Sequence, residues 1–460
     1  MNLLSKFLNN PKAIKAVLII IFATVAYFFA PPSILEPARR ILFVFIIASL
    51  FWAFEIVPLY ATSMLVVLLE IILLCRPGGV LGMDESGYKV FLLPFASPII
   101  ILFFGGFVLA SAFQKYAIDK FIATHLLKLF GNKPYFLMLG FMLTTALLSM
   151  WMSNTATTAM MVAMILPLLK QLDKNDPFRT GLILAIPFAA NIGGMATPVG
   201  TPPNAIALGI LADYGIHLTF IAWMKMAVPL SILLLGGTSI LLYTMFPSHN
   251  KMLNFNIPKI EIIGAKTKGT MLIAVITILL WLTSGLHGIP SAVIALFAAG
   301  MFSLTGLLNQ DDFKNINWDI LILMWGGLAL GKGMQISGLT DWVVSLSIFQ
   351  QQGFILVAVF CLLGVVLSTF MSNTATSNLL IPIVMVIPGE SSIMLATTIA
   401  LACSLAMALP VSTPPNAIAF STNMLKSKDM LKAGTIVSLV SVIMIILGFK
   451  FFITRAFGLE

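Results

Sequence analysis

The chain has 460 residues, of which 59% are apolar and 9% charged, with a net charge of +9 and a mean hydropathy of +1.04. A soluble globular domain carries roughly 25% charged residues, so this composition excludes one and points to a polytopic membrane protein lying in a lipid bilayer. The positive balance does not indicate nucleic acid, because the basic residues are scattered over short connections and act as topology signals.

The start, MNLLSKFLNNPKAIK, reads as a short basic-amphipathic lead into a full hydrophobic span, not as a cleavable signal peptide. Apolar runs bounded by turn and charge signals predict spans near 13–30, 40–57, 60–75 and 92–115. The next apolar segment, 134–170, is interrupted by Ser153-Asn154-Thr155-Ala156-Thr157. Each of its halves has about 15 residues, or ~22 Å as helix, too short for the ~30 Å of hydrocarbon. It is therefore predicted to be a re-entrant hairpin with the polar string at its tip. A broken span follows, 180–196 continuing as 203–213, with Thr201-Pro202-Pro203-Asn204-Ala205-Ile206-Ala207 at the break, and then a span at 219–246. A polar, basic linker at 247–268 leads to spans at 269–286, 289–308 and 317–336. The sequence then repeats itself. A hairpin at 353–388 carries Ser372-Asn373-Thr374-Ala375-Thr376, a broken span 394–409 continuing as 414–424 carries Thr413–Ala419 with the same seven residues, and a last span covers 432–453.

With the N-terminus cytoplasmic, eighteen of the 26 Lys and Arg fall inside and eight outside. That bias supports both this orientation and the hairpins, since counting either one as a crossing would invert every later loop. The repeat extends to Phe104-Gly105-Gly106 with Gln114 against Trp325-Gly326-Gly327 with Gln335, and to Ser149 against Ser368. The two copies run in opposite directions on this topology. The expected fold is thus all-α, about eleven transmembrane helices plus two re-entrant hairpins in an inverted repeat, which lets one site face two sides in turn.

Polar, proline-broken backbone is tolerated at membrane depth only where it is buried or lines a cavity. Helix C-termini leave carbonyls free for a hard cation, and helix N-termini leave amides free for an anion. The Ser and Asn oxygens of the tips can add to the cation shell, and the Asn amide and Thr hydroxyl can donate to the anion. In Thr-Pro-Pro-Asn the prolines stop the arriving helix, and Thr and Asn offer a hydroxyl and an N-cap at the restart. Gly200 allows close backbone approach where the second copy has Ser412. The site reads as lacking a carboxylate, and a Na⁺ site can be built from neutral oxygens. Glu55, with a structural or a coupling role, and the blander Glu70 and Asp319 are the membrane carboxylates. The double glycines read as close helix packing, Lys332 as a snorkelling cation, and Cys75, Cys361 and Cys403 as buried hydrophobes. His125, His217, His249 and His287 sit near membrane boundaries. No nucleophile–base pair or metal cluster suggests an enzyme, and two opposed half-sites are unlike a channel filter.

The paired Ser-Asn-Thr strings, each with a downstream Thr-Pro-Pro-Asn-Ala-Ile-Ala, and the early Trp52-Ala53-Phe54-Glu55-Ile56-Val57-Pro58 resemble the divalent anion/sodium symporter family, the INDY-type dicarboxylate carriers. The resemblance covers essentially the whole chain and is nearest to bacterial Na⁺/dicarboxylate symporters. It implies a homodimer in the bacterial cytoplasmic membrane, with elevator movement of a hairpin-bearing domain against a scaffold. The chain would divide into scaffold helices (1–133), a first transport half (134–246), the linker (247–268), further scaffold helices (269–352) and a second transport half (353–460). By the same resemblance, one Na⁺ would use Ser149, Ser153, Asn154 and the backbone at Gly200, and the other Ser368, Met371, Asn373 and Ser412. The anion would touch Asn154, Thr155, Thr201, Pro202, Asn373, Thr374, Thr413 and Pro414. Succinate, fumarate or malate is the expected substrate, with Na⁺ and no organic cofactor. Anion exchange and the sulfate and citrate branches of the family stay open.

Overall fold

A computed structural model describes residues 10–76, 79–253, 255, 264–345, 354–385, 387 and 390–448. Of the expected linker, residues 254 and 256–263, with Lys259, lie outside the described residues. So do Lys6, Lys450, Arg455 and the end of the last expected span, 449–453.

The described residues are helical, with no strand among them. The first half holds α1 (Pro11–Phe28), α2 (Glu36–Ala53), α3 (Leu59–Leu74), α4 (Pro98–Lys115), α5 (Ile118–Leu127), α6 (Pro134–Ser149), α7 (Asn154–Gln171), α8 (Phe178–Gly194), α9 (Pro202–Asp213) and α10 (Phe220–Met245). The second holds α11 (Ala265–Leu282), α12 (Ser291–Leu304), α13 (Trp318–Ile336), α14 (Leu339–Ser345), α15 (Phe354–Phe370), α16 (Asn373–Val384), α17 (Glu390–Cys403), α18 (Pro414–Ser421) and α19 (Ser427–Gly448).

Proline opens many of these helices. It stands in the first turn of α1, α2, α4, α6, α9 and α18, where its missing N–H is no loss and its φ is already helical. Side-chain caps start others: Asn10 accepts from Lys12 N–H at 3.1 Å, and Thr219 from Ala222 N–H at 3.2 Å. Among the described residues five segments are long and apolar enough to cross a membrane: α1, α10, α11, α19 and the stretch Lys89–Lys115 that ends in α4. The expected span at 60–75 is the shorter, 16-residue α3, and α12 has 14 residues.

The helices pair across the two halves. α3 of the first lies along α13 of the second, and α12 of the second lies along α4 of the first. Glycine makes both seams possible. A Cβ at Gly326 would collide with Ser63, and one at Gly105 with Ala295, so the double glycines do serve close approach. Glu70 is less bland than the sequence suggests. It is fully buried in the α3–α13 seam against Gly333, and among the described residues neither carboxyl oxygen has a hydrogen-bond partner.

The first arms of the hairpins, α6 and α15, pack on α8 and α17 respectively. The second arms cross over: α7 packs on α18, and α16 on α9. Every residue of α8 from Gly181 to Gly194 is buried, as an apolar helix at the centre of a bundle should be. The broken helices thus form the middle of the molecule, and both hairpin tips are carried to their breaks. All three cysteines are buried and unpaired.

Candidate functional site

Where the tips and the breaks meet, a cavity of about 890 Å³ opens. Its wall includes Ser153, Asn154 and Thr155 of the first tip and Met371, Ser372, Asn373 and Thr374 of the second. Gly200, Thr201 and Pro202 come from one break, and Ser412, Thr413 and Pro414 from the other. Every residue anticipated for cations or anion is therefore in the wall except Ser149 and Ser368, which stand directly behind it.

Four helices begin at this cavity. α7 starts at Asn154, α16 at Asn373, α9 at Pro202 and α18 at Pro414, and all four residues line it. Each helix N-terminus is equivalent to roughly half a positive charge, so together they present about two. Among the described residues of the wall there is no Lys, Arg or His. The positive potential of these four N-termini is supplied by backbone.

Two oxygen clusters lie behind the tips. Ser149, at the C-terminus of α6, places Oγ 2.6 Å from Asn154 Oδ1 and 2.8 Å from the Ala190 carbonyl. A hydroxyl has one hydrogen, so it satisfies only one of these acceptors, and the cluster keeps a surplus of oxygen lone pairs. The second half reproduces this arrangement: Ser368 Oγ lies 2.7 Å from Asn373 Oδ1 and 2.9 Å from the Cys403 carbonyl. Close packing holds the first cluster together. A Cβ at Gly194 would strike the Asn154 amide, and one at Gly200 would strike the Gly194 carbonyl. Ser412, at the place of Gly200, instead donates to the Thr369 carbonyl at 3.0 Å and braces the second tip. Oxygen-rich, uncharged and near helix C-termini, both clusters have the donor chemistry of a site for a hard monovalent cation.

Two expectations need correction. The asparagine of Thr-Pro-Pro-Asn is not the N-cap of the restarting helix. That place belongs to Thr201 and Thr413, and the paired prolines carry the Asn into the first turn. From there its amide reaches back to the broken strand of carbonyls. Asn204 Nδ2 lies 3.2, 3.1 and 2.8 Å from the Gly194, Met195 and Thr197 carbonyls, among which it shares its two hydrogens, and Asn416 Nδ2 donates to Met407 and Leu409 at 3.1 and 3.0 Å. These carbonyls are the ones the break leaves without helical partners. The cavity is also not free of carboxylates, because Glu55 and Asp319 belong to its wall. Glu55 sits in the turn after α2 at φ 45°, outside any helix, and its carbonyl accepts from Lys12 Nζ at 2.9 Å.

Sequence reasoning missed Asn191. It is buried in α8, lines the cavity, and donates through Nδ2 to Thr413 Oγ1 at 3.3 Å, joining the two halves. Its signal was available as an amide inside the otherwise apolar run 180–196. Among the described residues no group of three or more His, Cys, Asp or Glu could hold a metal.

Comparison with known proteins follows the same line. A family profile described as "Sodium:sulfate symporter transmembrane region" matches residues 10–454. An uncharacterized transporter of Haemophilus influenzae is 34% identical over 433 residues, covering 88% of this chain and 90% of that one. The sodium-dependent dicarboxylate transporter SdcS of Staphylococcus saprophyticus is 28% identical over 482 residues, covering 96% and 91%. Among solved structures, the YdaH transporter of Alcanivorax borkumensis superposes with a TM-score of 0.60 at 13% identity, over 87% of this chain and 98% of that one, a likeness of fold alone.

Proposed function

This chain belongs to the sodium:sulfate symporter family, a family of secondary membrane transporters, and on that premise we propose that it is a Na⁺-coupled carrier of C4 dicarboxylates such as succinate, fumarate and malate. The observation that carries this reading is the convergence of four helix N-termini on one cavity whose described wall has no basic side chain. The partial positive ends of these helices suit the carboxylates of a dianion, with Glu55 and Asp319 as the formal charges of the described wall. The name of the Staphylococcus saprophyticus relative favours a dicarboxylate among the dianions.

Na⁺ enters the reading through the two oxygen clusters. Each holds two acceptors against the single hydrogen of its serine, and a bound cation would satisfy the remaining lone pairs. Asn154 and Asn373 belong both to a cluster and to the cavity wall. A cation that draws each Oδ1 inward would turn the amide N–H groups toward the anion. On this scheme Na⁺ binds first and orders the tips, and the anion then settles between Asn154, Thr155, Thr201 and Pro202 on one side and Asn373, Thr374, Thr413 and Pro414 on the other. Differential affinity makes net flux follow the Na⁺ gradient. If more than two Na⁺ accompany a dianion, an inside-negative potential adds ~2.3 kcal/mol per charge per 100 mV.

The larger frame belongs to the same proposal. It comprises about eleven crossings and two re-entrant hairpins in an inverted repeat, with the N-terminus on the cytoplasmic side of a bacterial inner membrane. Two copies form a homodimer, and the hairpins with their broken helices slide as one body. Uptake of labelled succinate by purified protein in liposomes tests it, with Na⁺ outside, with K⁺ in its place, and with internal dicarboxylate. Na⁺-dependent accumulation is expected. Uptake that ignores Na⁺ and requires internal dicarboxylate would make the protein an exchanger, and stronger competition by sulfate or citrate would move the substrate. Asn154→Ala and Asn373→Ala should each nearly abolish uptake.

A further inference from the structure

We infer that Asn191 is a positioning residue that makes the Thr413 hydroxyl a dedicated hydrogen-bond donor to the bound anion, a role that rests on the dianion reading above. A hydroxyl oxygen has two lone pairs and one hydrogen. Thr413 Oγ1 accepts from the Asn416 backbone N–H at 3.2 Å and from Asn191 Nδ2 at 3.3 Å. With both lone pairs engaged, the hydrogen takes the remaining tetrahedral direction. Among the described residues no acceptor receives it, although Thr413 is buried and lines the cavity. A carboxylate, which only accepts, is the ligand chemistry that completes this geometry.

The first half shows that the repeat does not impose the arrangement. Thr201, the counterpart of Thr413, makes no side-chain capping bond. Matching Ala190 with Cys403, the carbonyls bonded by Ser149 and Ser368, sets Ser404 opposite Asn191. Ser404, just past the end of α17, spends its hydroxyl on the Ala400 carbonyl of that helix, at 3.3 Å. Asn191 also costs the fold something, because its Oδ1 is buried without a partner. An unsatisfied buried acceptor is destabilising, and an apolar side chain of similar size would avoid it. Stability alone therefore does not account for an amide here. One end of the anion is gripped by a hydroxyl whose direction is set from the other half of the chain, and its opposite end by the unconstrained Thr201.

The test measures succinate and Na⁺ dependence of liposome uptake together with Na⁺-induced thermal stabilisation in the absence of succinate. Asn191→Ala should raise the half-saturating succinate concentration about tenfold, the effect of weakening one hydrogen bond to a charged group, and leave stabilisation by Na⁺ unchanged. Asn191→Asp keeps the shape but can only accept, so it captures the Thr413 hydrogen and should weaken succinate at least as much. In a Thr413→Val background Asn191→Ala should add less than about twofold, since the hydroxyl it orients is gone. Thr413→Ser should keep the dependence on Asn191. Wild-type succinate affinity in Asn191→Asp, independent multiplication of the two effects, or a parallel loss of Na⁺ stabilisation would each overturn the role. No succinate uptake by the unmodified protein sinks the functional reading and this inference together. Uptake by the unmodified protein with independent variant effects sinks the inference alone.

Discussion

Ser149 and Ser368 show how much of the site depends on single atoms. Each hydroxyl is buried, contributes one hydrogen, and faces two oxygens within 2.9 Å. Removing that oxygen leaves the packing nearly intact but takes one ligand from the proposed cation shell. Ser149→Ala and Ser368→Ala should therefore each raise the Na⁺ concentration for half-maximal uptake by about tenfold or more, and in Na⁺-free buffer cost about 1–3 kcal/mol for the acceptor left unserved; Na⁺ titration of uptake and of thermal stability measures both. Residue identities were legible here because the strings occur twice. The role of Asn204 and Asn416 was not, since an asparagine after two prolines can cap a helix or staple it. Which one it does depends on where the first helical residue falls, and that is Pro202 and Pro414.

The helices owe their placement to contacts that a linear pattern does not contain. The repeat foretold that α13 carries a close-packed glycine pair, yet the pair faces different partners. Gly326 meets Ser63 of α3, and Gly327 meets the side chain of Asn378 in α16. A Cβ at Gly327 would overlap the Asn378 amide, which also donates to the Leu323 carbonyl at 3.2 Å. Gly327→Ala should destabilise the protein by about 1–3 kcal/mol through overpacking. By contrast Gly236, inside α10, has open space around the position of a Cβ. Gly236→Ala should raise stability by roughly 0.5–1 kcal/mol, the helix-propensity gain of alanine. Thermal unfolding of both variants in one detergent compares them directly, and equal shifts would contradict the packing described for α13. Pattern reasoning also could not see that Glu70 lies unpaired against Gly333, because α3 and α13 are some 260 residues apart in the chain.

At the scale of the whole molecule, the proposed sliding of the two transport halves, 134–246 and 353–460, against the remaining helices makes a geometric demand. Gly106 of α4 and Val199 at the first break belong to opposite sides of the sliding surface, and a Cβ on Gly106 would lie 3.1 Å from Val199 Cβ. That is a few tenths of an ångström short of the ~3.5–4.5 Å Cβ separation of a disulfide, which a small backbone shift supplies. With the native cysteines buried, the pair Gly106→Cys and Val199→Cys should cross-link on oxidation and stop uptake, and a reductant should restore it. Full uptake by the oxidised protein would rule out relative movement at this seam. The ring of Trp281 in α11 lies parallel to those of Trp151 at the first tip and Phe220 of α10, a second contact that such movement must break.

By itself the sequence determined an all-helical membrane chain, its duplication, and the two pairs of polar strings that interrupt apolar helices, because hydropathy, proline and repeated words are local properties. Only the tertiary structure decided that the strings meet in one cavity, that Glu55 and Asp319 share its wall, and that Asn191 of one half reaches Thr413 of the other. Asn191 and Thr413 are 222 positions apart, and Glu55 and Asp319 farther still, and these relations are fixed by which helices pack together. No spacing along a chain records that choice.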